Sequence, residues 1–588
     1  MKSHYCGEIT SSNVEQEVTI CGWVHRRRDH GGVIFLDVRD IKGICQAVVN
    51  PDNEKSFKLA ESIRNEYVVQ IKGNVRNRLE GTVNKNMHTG EIEIEVKDLT
   101  ILSKASTPVF PIDEYQEVNE DVRLKNRVLD LRRPEMNERI ITRSKITSLI
   151  RNYLDNNDFH EIETPILTKA TPEGARDYIL PSRVQPGSFY ALPQSPQLFK
   201  QLLMIGGLDK YYQIARCFRD EDLRADRQPE FTQIDIEASF IDQDEIMKIS
   251  EKMIKDIIKE FCGDKLEKFE VINWHDAMRD YGCDKPDLRI PLKLVDISEL
   301  VKDEEFKVFS EPAQKKGSRV VALKVPNGNS LSRGQIDDYT KFVSKLGAKG
   351  LAYIKINDVS DLENGIQSPI LKFLKPETVA NIIKSLEIKT DDLIFFGAGN
   401  ESVVNLSMSS LIKKLGEDLD LYLTKWAPCW IVDFPMFETN KEGDLTPLHH
   451  PFTLPKCSTK DLEDNPKDSI AHAYDVVLNG YEIGGGSLRI YDNAMQKIIF
   501  NVLNISKEDA ESKFGFLLKA LSSGCPPHGG IAFGLDRIVM LVTDTTNIRD
   551  VIAFPKTQSA ACLLTDAPSK VEKDQLDELK IISTHKEE

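Results

Sequence analysis

The segment that most constrains the fold is a run of strictly alternating side chains near the middle of the chain. One set of alternate residues is Phe231, Gln233, Asp235 and Glu237, and the other is Thr232, Ile234, Ile236 and Ala238. Side chains alternate across a β-strand, so the set that begins with Thr232 predicts a face packed against the core. The set that begins with Phe231 places an aromatic ring beside three polar side chains on the other face. The charged stretch before it, about 222–229, is too long for a tight turn. The segment predicts strand, polar loop and strand, with a polar face that is either solvated or a binding surface.

Composition restricts the remaining possibilities. The 588 residues predict about three to five domains, and a hydrophobic content of 40% is sufficient for a large core. No run of ~18 apolar residues occurs and Met1–Cys6 lacks an apolar signal core, so no membrane span is expected. Ten cysteines without a CxxC pair favour reduced thiols in the cytoplasm and argue against a structural zinc site.

The charge is unevenly distributed. The net charge of −16 argues against a generic polyanion binder. Residues 1–104 contain 15 basic and 15 acidic side chains, so all of the excess acid lies in the rest of the chain. The N-terminal part is therefore the better candidate for binding nucleic acid.

Residues 1–104 have the pattern of a small β-barrel. Runs rich in valine and isoleucine occur at Val18–Val24, Val33–Val38, Ile44–Val49, Tyr67–Val75 and Glu91–Leu99, and one helical run at Ser56–Arg64. Five strands with one helix are typical of the OB-fold, which binds oligonucleotides on one face. Trp23 and Phe35, with the arginines of 26–28, suit unstacked bases and phosphates. The rings could equally belong to the core, and the arginines to a solvated face.

The rest of the chain divides by composition. Residues 105–135, rich in proline and charge, are interpreted as a linker, and 136–156 carry a helical apolar stripe. A strand over Phe159–Thr164 stops at Pro165. Residues 285–420 are interpreted as an inserted α+β domain, after which strands resume.

A further helix is predicted after residue 194. Ser195 as N-cap and Pro196 as first residue begin it, and Gln197 and Lys200 then share one face. Taken alone, Lys200 is more simply a surface lysine.

Three segments, in order, resemble the motifs of class II aminoacyl-tRNA synthetases. The helix and strand ending at Pro165 are similar to motif 1, Phe218–Glu237 to motif 2 and Gly529–Arg537 to motif 3. With QSPQLFK at 194–200 and GYEIGGGS at 480–487, they resemble bacterial-type aspartyl-tRNA synthetases of subclass IIb over essentially the whole chain. The implied multidomain α/β (α+β) fold has an anticodon-binding OB-fold at 1–104, a hinge at 105–135, an antiparallel-sheet catalytic domain at 136–284 and 421–560, an inserted α+β domain of the GAD type at 285–420, and a C-terminal extension at 561–588.

The resemblance implies a reaction in two steps. L-Aspartate attacks ATP to give aspartyl-adenylate and pyrophosphate, and a ribose hydroxyl at the 3′ end of tRNA(Asp) then takes the aspartyl group. Such chemistry needs positioning and charge neutralisation, so arginines and Mg²⁺ are expected to dominate. The absence of a GxSxG-like elbow agrees with a reaction that uses no nucleophilic serine.

The resemblance also assigns an ATP site. The expected catalytic residues are Arg219 on the α-phosphate, Arg537 on the γ-phosphate, and Lys200. Phe231 is expected to stack on adenine and Glu221 to read its edge. The other expected ATP contacts are Asp220, Gln228, Glu482, Gly534, Leu535 and Asp536. Asp475 and Glu482 are expected to bind Mg²⁺, the alternative being an acidic strand edge.

The expected aspartate site is cationic. Lys200 and Arg489 are expected to bind the side-chain carboxylate, with Asp235 orienting Lys200. The other expected contacts are Glu173, Gln197, Arg219, Gln233, His449 and His450, and one of the two histidines is expected to be structural. Strict alternation places Glu482 and Arg489 on opposite strand faces, so a bulge near 484–486 is needed to bring both into one site.

The resemblance implies a homodimer that binds tRNA through its barrel. The expected tRNA-facing residues are Arg26, Arg28, His30, Phe35 and Gly81. His30 and Gly81 resemble enzymes that also load tRNA(Asn) for correction by an amidotransferase. An asparaginyl or lysyl synthetase remains an alternative, expected to lack the QSPQLFK lysine and the inserted domain. A catalytically inactive tRNA-binding paralogue is another, expected to have lost Arg219, Glu482 or Arg537.

Overall fold

The computed structural model describes residues 1–112, 117–170, 174–223 and 226–584. The chain forms two compact units, Met1–Ser144 with Arg549–Lys570, and Lys145–Ile548 with Val571–Glu588. Among the described residues, no helix combines the length and the apolar content that crossing a membrane requires.

The N-terminal residues form the predicted barrel. Its elements are β1 (Glu17–His30), β2 (Val33–Asp40), β3 (Gly43–Val49), α1 (Glu54–Ser62), β4 (Val68–Asn77) and β5 (Ile92–Ser103). The strands close in the order β1-β2-β3-β5-β4, which confirms the OB-fold. β1 is longer than predicted, because the register with β2 shifts between Val24 and Arg26 and the strand then continues to His30.

The segment expected to be a linker contains α2 (Glu120–Lys125) and α3 (Arg127–Asp130). Arg127 is buried there, and its guanidinium donates hydrogen bonds to the carbonyls of Arg549 at 2.8 Å, Ile552 at 2.7 Å and Ala553 at 2.9 Å. Arg127, one of the charged residues of the expected linker, therefore binds a distant segment of the same unit.

The helix with the apolar stripe and the first part of the catalytic region follow. Their elements are α4 (Pro134–Asp155), β6 (His160–Glu161), β7 (Ile179–Pro181), β8 (Phe189–Ala191), α5 (Gln197–Ile205), β9 (Lys210–Phe218), β10 (Glu230–Ser239), α6 (Gln243–Cys262), β11 (Glu270–Asn273) and α7 (Trp274–Tyr281). Ile146, Ile150 and Leu154 of α4 are buried, as the stripe predicts. α5 begins one residue later than predicted, since Pro196 rather than Ser195 is its N-cap.

The inserted domain is built on one small sheet. Its elements are β12 (Leu294–Asp296), α8 (Ser298–Val301), α9 (Lys307–Gln314), β13 (Ser318–Val325), α10 (Arg333–Lys345), β14 (Ala352–Ile356), β15 (Ile366–Gln367), α11 (Pro376–Ser385), β16 (Leu393–Asn400) and α12 (Glu401–Asp418). The strand order is β12-β13-β16-β14-β15, and every pair is antiparallel. Alternate residues of β13 and β16 belong to two separate hydrophobic clusters, so helices pack on both faces.

The chain then completes the main sheet. The last elements are β17 (Pro428–Val432), β18 (Phe437–Thr439), β19 (Leu445–Pro447), α13 (Thr459–Asp464), β20 (Ala473–Leu478), β21 (Tyr481–Leu488), α14 (Asn493–Val502), α15 (Lys507–Leu521), β22 (His528–Gly534), α16 (Leu535–Val542) and α17 (Lys573–Leu579).

Eight strands form the main sheet in the order β11-β17-β20-β21-β22-β10-β9-β6. All neighbours are antiparallel except the outermost pairs β11–β17 and β6–β9, which confirms the predicted antiparallel core. Since β21, β22 and β10 are adjacent, side chains from the three strands that resemble synthetase motifs meet on one face.

Candidate active site

The polar face of β10 lines a cavity of about 350 Å³. Phe231, Gln233 and Asp235 all contribute to its wall, whereas Ile234 and Ile236 are buried on the opposite face. The alternation seen in the sequence therefore separates a core face from a cavity, and the simpler interpretation as a solvated hairpin does not apply.

Four charged side chains form a buried cluster at one end of the cavity. Lys200 Nζ lies 2.7 Å from Asp235 Oδ1 and 3.1 Å from Glu237 Oε2. Arg489 donates to the same Glu237 carboxylate, from Nε at 2.9 Å and from Nη2 at 3.1 Å. All four side chains are at most 2% exposed. The contact between Lys200 and Asp235 is the one that the resemblance implied.

Burial and pairing set the ionisation of these groups in opposite directions. Burial alone would raise the pKa of Glu237, but Arg489 and Lys200 lower it to about 2. Burial raises the pKa of Asp235, and the neighbouring Lys200 only partly opposes this. Burial would lower the pKa of Arg489, but Glu237 raises it, so the guanidinium stays charged. Glu237 is therefore the fixed negative charge that holds both cations in the cluster.

The contacts of the two cations leave room for a ligand. An ammonium has three N–H donors; Lys200 donates one hydrogen bond to Asp235 and forms an ion pair with Glu237. A guanidinium has five, and Arg489 uses two on Glu237, one on His450 Nε2 at 2.7 Å and one on Ser487 Oγ at 2.5 Å. Within the described part of the chain, at least one N–H of each cation thus remains for a bound acceptor.

Two amides add polar groups to the same end. Gln197 and Lys200 lie on one face of α5, as predicted, and both line the cavity. Gln197 Nε2 is buried, and no hydrogen-bond partner for it is found among residues 1–112, 117–170, 174–223 and 226–584. Gln233 also lines the cavity, and its amide oxygen accepts a hydrogen bond from the Cys217 thiol at 3.2 Å.

Both histidines line the cavity, where only one was expected to do so. His449 Nε2 lies 3.5 Å from Asp475 Oδ1, and this pairing raises the pKa of His449 although burial opposes it. His450 receives the Arg489 hydrogen bond, and burial and the Arg489 charge hold its pKa well below the usual value. The two rings therefore contact different charged partners, Asp475 and Arg489.

A β-bulge brings Glu482 into the site. Val477 pairs with Glu482 and Val476 pairs with Gly484, so Ile483 is an extra residue in β21. The bulge lies at the start of the glycine run and resets the alternation, so that Glu482 and Arg489 line the same cavity. The conflict in strand phase that the sequence posed is resolved in this way.

Asp475 and Glu482 converge over Gly485. A Cβ atom at that position would lie 2.6 Å from Asp475 Oδ1 and 3.8 Å from Glu482 Oε1. Burial raises the pKa of Asp475 to about 6; the nearby His449 opposes this increase and the Glu482 charge adds to it. The described residues contain no group of three or more histidine, cysteine or acidic side chains that could hold a metal. Two carboxylates alone fit Mg²⁺, which keeps waters and takes phosphate oxygens as further ligands.

Three further arginines, Arg219, Arg227 and Arg537, line the cavity, and two of them already pair with carboxylates. Arg219 lies over the Phe231 ring, 5.0 Å from its centroid. Arg227 pairs with Glu221 at 2.9 Å, and Arg537 pairs with Asp226 at 3.4 Å. Loop carboxylates thus lie within reach of cations that could hold a phosphate chain.

The remaining predicted residues differ in their positions. Gln228, Gly534 and Asp536 line the cavity, and Asp536 Oδ2 also accepts the backbone N–H of Thr232 at 2.9 Å. Asp220 and Leu535 are not part of the lining, because Asp220 pairs with Arg176 at 3.8 Å and Leu535 is buried in the core. Glu173, and Arg224 and Ala225 of the loop, lie outside the described residues.

Three charged residues of the site, among those that the structure describes, were not predicted. Glu237 was named on the polar face of β10 but given no role, although the alternation that singled out Asp235 includes it. Asp226 and Arg227 come from the charged loop, which has no periodicity to show which side chains turn inward.

The barrel presents aromatic and basic groups outside its core. Phe35 does not belong to the hydrophobic cluster that fills the barrel, and its ring lies 6.0 Å from that of His30. Arg28 donates to Asp37 at 2.8 Å and to Gln46 at 3.0 Å, whereas Arg26 is exposed. Gly81 is exposed between β4 and β5. This surface leaves Phe35, His30 and Arg26 accessible for a nucleic acid.

Comparisons with known proteins agree with this architecture. The family model for class II tRNA synthetases (D, K and N) matches residues 119–558, and that for the OB-fold nucleic acid binding domain matches residues 18–102. An asparaginyl-tRNA synthetase from Pyrococcus horikoshii, solved with asparaginyl-adenylate, superposes with a TM-score of 0.58 at 21% identity, covering 94% of this chain and 98% of its own. A putative aspartyl-tRNA synthetase from Leishmania major Friedlin gives 0.57 at 19% identity, covering 93% and 92%.

At such identities the two solved structures show the fold, while the family model covers most of the chain. The chain therefore belongs to the class II tRNA synthetases of the D, K and N family, and carries an N-terminal OB-fold nucleic acid binding domain.

Proposed function

We propose that the protein is an aspartate–tRNA ligase. It activates L-aspartate with ATP, releasing pyrophosphate, and a ribose hydroxyl at the 3′ end of tRNA(Asp) then takes the aspartyl group from the adenylate, releasing AMP. The observation that carries the proposal is the pair of buried cations, Lys200 and Arg489, each with at least one N–H left for a ligand.

Two donors that belong to cations favour a carboxylate over an amide. A carboxylate offers two oxygens and a negative charge, and can accept from both N–H groups at once. The side chain of asparagine would turn an NH₂ group towards a cation, and that of lysine would add a third positive charge. A site whose buried cations pair with a substrate carboxylate discriminates strongly against an analogue that leaves those cations unpaired.

In the proposed first step, the α-carboxylate oxygen of aspartate attacks the α-phosphorus of ATP, and the bond to pyrophosphate breaks. Arg219 holds the α-phosphate and the reacting carboxylate, and Arg537 holds the γ-phosphate after leaving Asp226. Phe231 stacks on adenine and Glu221 binds its edge. No covalent enzyme intermediate is required, because positioning and charge neutralisation carry the step.

Asp475 and Glu482 would hold Mg²⁺ in this proposal. A bound cation would keep the Asp475 carboxylate ionised despite its raised pKa. When bound, Mg²⁺ neutralises the charge of the phosphate chain.

In the second step the barrel binds tRNA, with Phe35 as a stacking platform for an unstacked base. We include tRNA(Asn) as a second substrate, followed by an amidotransferase, on the basis of His30 and Gly81.

The protein works as a homodimer in this proposal, and the exposed apolar side chains of Ile166, Leu167 and Phe189 support it, since a second copy would cover them. The ten cysteines form no disulfide within the described residues, which suits a reducing cytoplasm.

Aminoacylation of purified tRNAs tests the proposal. We expect labelled aspartate to be attached to tRNA(Asp), and also to tRNA(Asn). Lack of product on tRNA(Asn) alone would remove the broader tRNA range. The family model also includes synthetases for asparagine and lysine, so attachment of either amino acid to its own tRNA, without attachment of aspartate, would establish that alternative.

A further inference from the structure

We propose that the inserted domain is a brace that positions Glu482 and Arg537 for ATP. The brace consists of the chain connections of the inserted domain, at 287–289 and 413–423, packed against the turn between β20 and β21. The inference rests on the proposed function for its assay, but its structural basis is independent of which amino acid is used.

The turn between β20 and β21 is tightly enclosed. Leu478 pairs with Tyr481, so Asn479 and Gly480 form a two-residue turn, and both have positive φ, at 53° and 78°. A Cβ atom on Gly480 would lie 3.1 Å from Asp287 Cβ. The incoming connection of the inserted domain therefore lies directly against the turn.

The two connections are fastened to each other. Arg289 donates two hydrogen bonds to Asp287, from Nε at 2.9 Å and from Nη2 at 2.6 Å. Its guanidinium lies 4.5 Å from the centre of the Tyr422 ring, and its carbonyl accepts the N–H of Leu423 at 2.9 Å. Both ends of the inserted domain thus form one joint, which contacts the catalytic sheet at Gly480.

A helix of the inserted domain reaches the next residue of β21. Lys413, on α12, places its ammonium 4.9 Å from the centre of the Tyr481 ring. Asn479 binds the chain that follows the inserted domain, accepting from Ala427 N at 3.0 Å and donating to the Lys425 carbonyl at 3.0 Å. The turn is therefore held from both sides.

The contacts around the turn position Glu482 and Arg537, which we propose to bind ATP. Glu482 directly follows Tyr481, and its carbonyl accepts a hydrogen bond from Arg537 Nη1 at 2.8 Å. A displacement of the turn would therefore move Glu482 and Arg537 together. Lys200 comes from α5 and is held by Asp235 and Glu237 of β10, and Arg489 follows the end of β21 opposite to this turn, so both cations are anchored away from it.

Lys413 and Tyr481 are therefore positioning residues with an effect specific to ATP. Lys413→Ala removes an exposed ammonium, Tyr481→Leu removes the ring, and Tyr481→Phe keeps the ring. Lys414→Ala is the matched control, because Lys414 lies next in α12 but pairs with Asp418 at 3.0 Å.

The test compares KM for ATP and KM for aspartate in ATP–pyrophosphate exchange, together with the Kd for ATP from calorimetry. We expect Lys413→Ala and Tyr481→Leu to raise the ATP constants about two- to five-fold, the range for a cation–π contact, with KM for aspartate unchanged. Tyr481→Phe and Lys414→Ala should match the wild type.

Equal increases in both KM values, or unchanged ATP constants in Lys413→Ala, would overturn the proposal. Should Tyr481→Leu not fold, Lys413→Ala decides, because its side chain is at the surface. Should the wild type show no exchange with any amino acid, the proposed function fails, and ATP calorimetry still tests the brace.

Discussion

The carboxylate of Glu237 accepts two hydrogen bonds from the guanidinium of Arg489, at 2.9 Å and 3.1 Å, in a site closed to solvent. Removing one partner of such a buried pair leaves the other charge uncompensated. We therefore expect Glu237→Gln to lower the free energy of unfolding by about 3 kcal/mol, measured by urea denaturation. Glu230→Gln, on the same strand, is the control. Glu230 pairs with Arg216 at 2.7 Å in a partly exposed site, so its loss should cost less than about 1 kcal/mol.

The same pair makes stability depend on pH. The pKa of Glu237 falls from 4.5 to about 2 on folding, so the unfolded chain binds more protons between these values. The stabilisation from Glu237 is complete above pH 4.5 and is lost as the pH falls towards 2. The difference in unfolding free energy between wild type and Glu237→Gln should therefore shrink across this window. A constant difference would show that Arg489 and Lys200 do not lower the pKa of Glu237 in the folded state.

Lys200→Met should impair aspartate activation selectively. The substitution removes a charged donor to the ligand, which corresponds to about a 10- to 150-fold loss in kcat/KM for aspartate. The Kd for ATP should change less than about two-fold, since Lys200 pairs with Asp235 and Glu237, neither of which is proposed to bind ATP. Lys210→Met is a suitable control, because Lys210 Nζ binds the Asn157 carbonyl at 3.1 Å. Equal losses of ATP binding and aspartate binding would contradict the assignment of Lys200 to the aspartate site alone.

Asp226→Asn should strengthen ATP binding. The Asp226 carboxylate lies 3.4 Å from Arg537 Nη2, where it competes with a phosphate. The pair is partly exposed, so its removal should lower the Kd for ATP by about 1.5- to 5-fold in calorimetry. Asp222→Asn removes the same charge from an exposed position in the same loop and should have no effect. Weaker binding by Asp226→Asn would mean that Asp226 supports the nucleotide.

Phe35→Leu should affect tRNA but not adenylate formation. Loss of one base stack is expected to raise KM for tRNA about 5- to 100-fold, whereas pyrophosphate exchange without tRNA stays at the wild-type rate. An unchanged KM for tRNA would place the stacking surface elsewhere on the barrel.

Local patterns in the sequence predict much of this fold. Alternation is a property of single strands, so the barrel strands and the polar face of β10 could be identified from the sequence. The bulge at Ile483 was only a hypothesis, because its position depends on pairing with β20. The helices of 120–130 were missed, since Arg127 is buried only through carbonyls at 549–553.

In the candidate site, too, the residues that could not be predicted are those whose roles depend on contacts distant in sequence. The resemblance named Lys200, Asp235 and Arg489, but the bridge between the two cations is Glu237, whose partners come from α5 and from the end of β21. Which loop charges turn inward, as Asp226 does, depends on contacts with Arg537 that are distant in sequence.

The most direct test of the account is ATP–pyrophosphate exchange by the purified protein with aspartate, asparagine and lysine offered singly. It isolates the first step from tRNA and reports on the pocket formed by Lys200 and Arg489. We predict exchange with aspartate and only background with the other two. Exchange with asparagine or lysine but not with aspartate would contradict the substrate assignment, and no exchange with any of them would contradict catalysis.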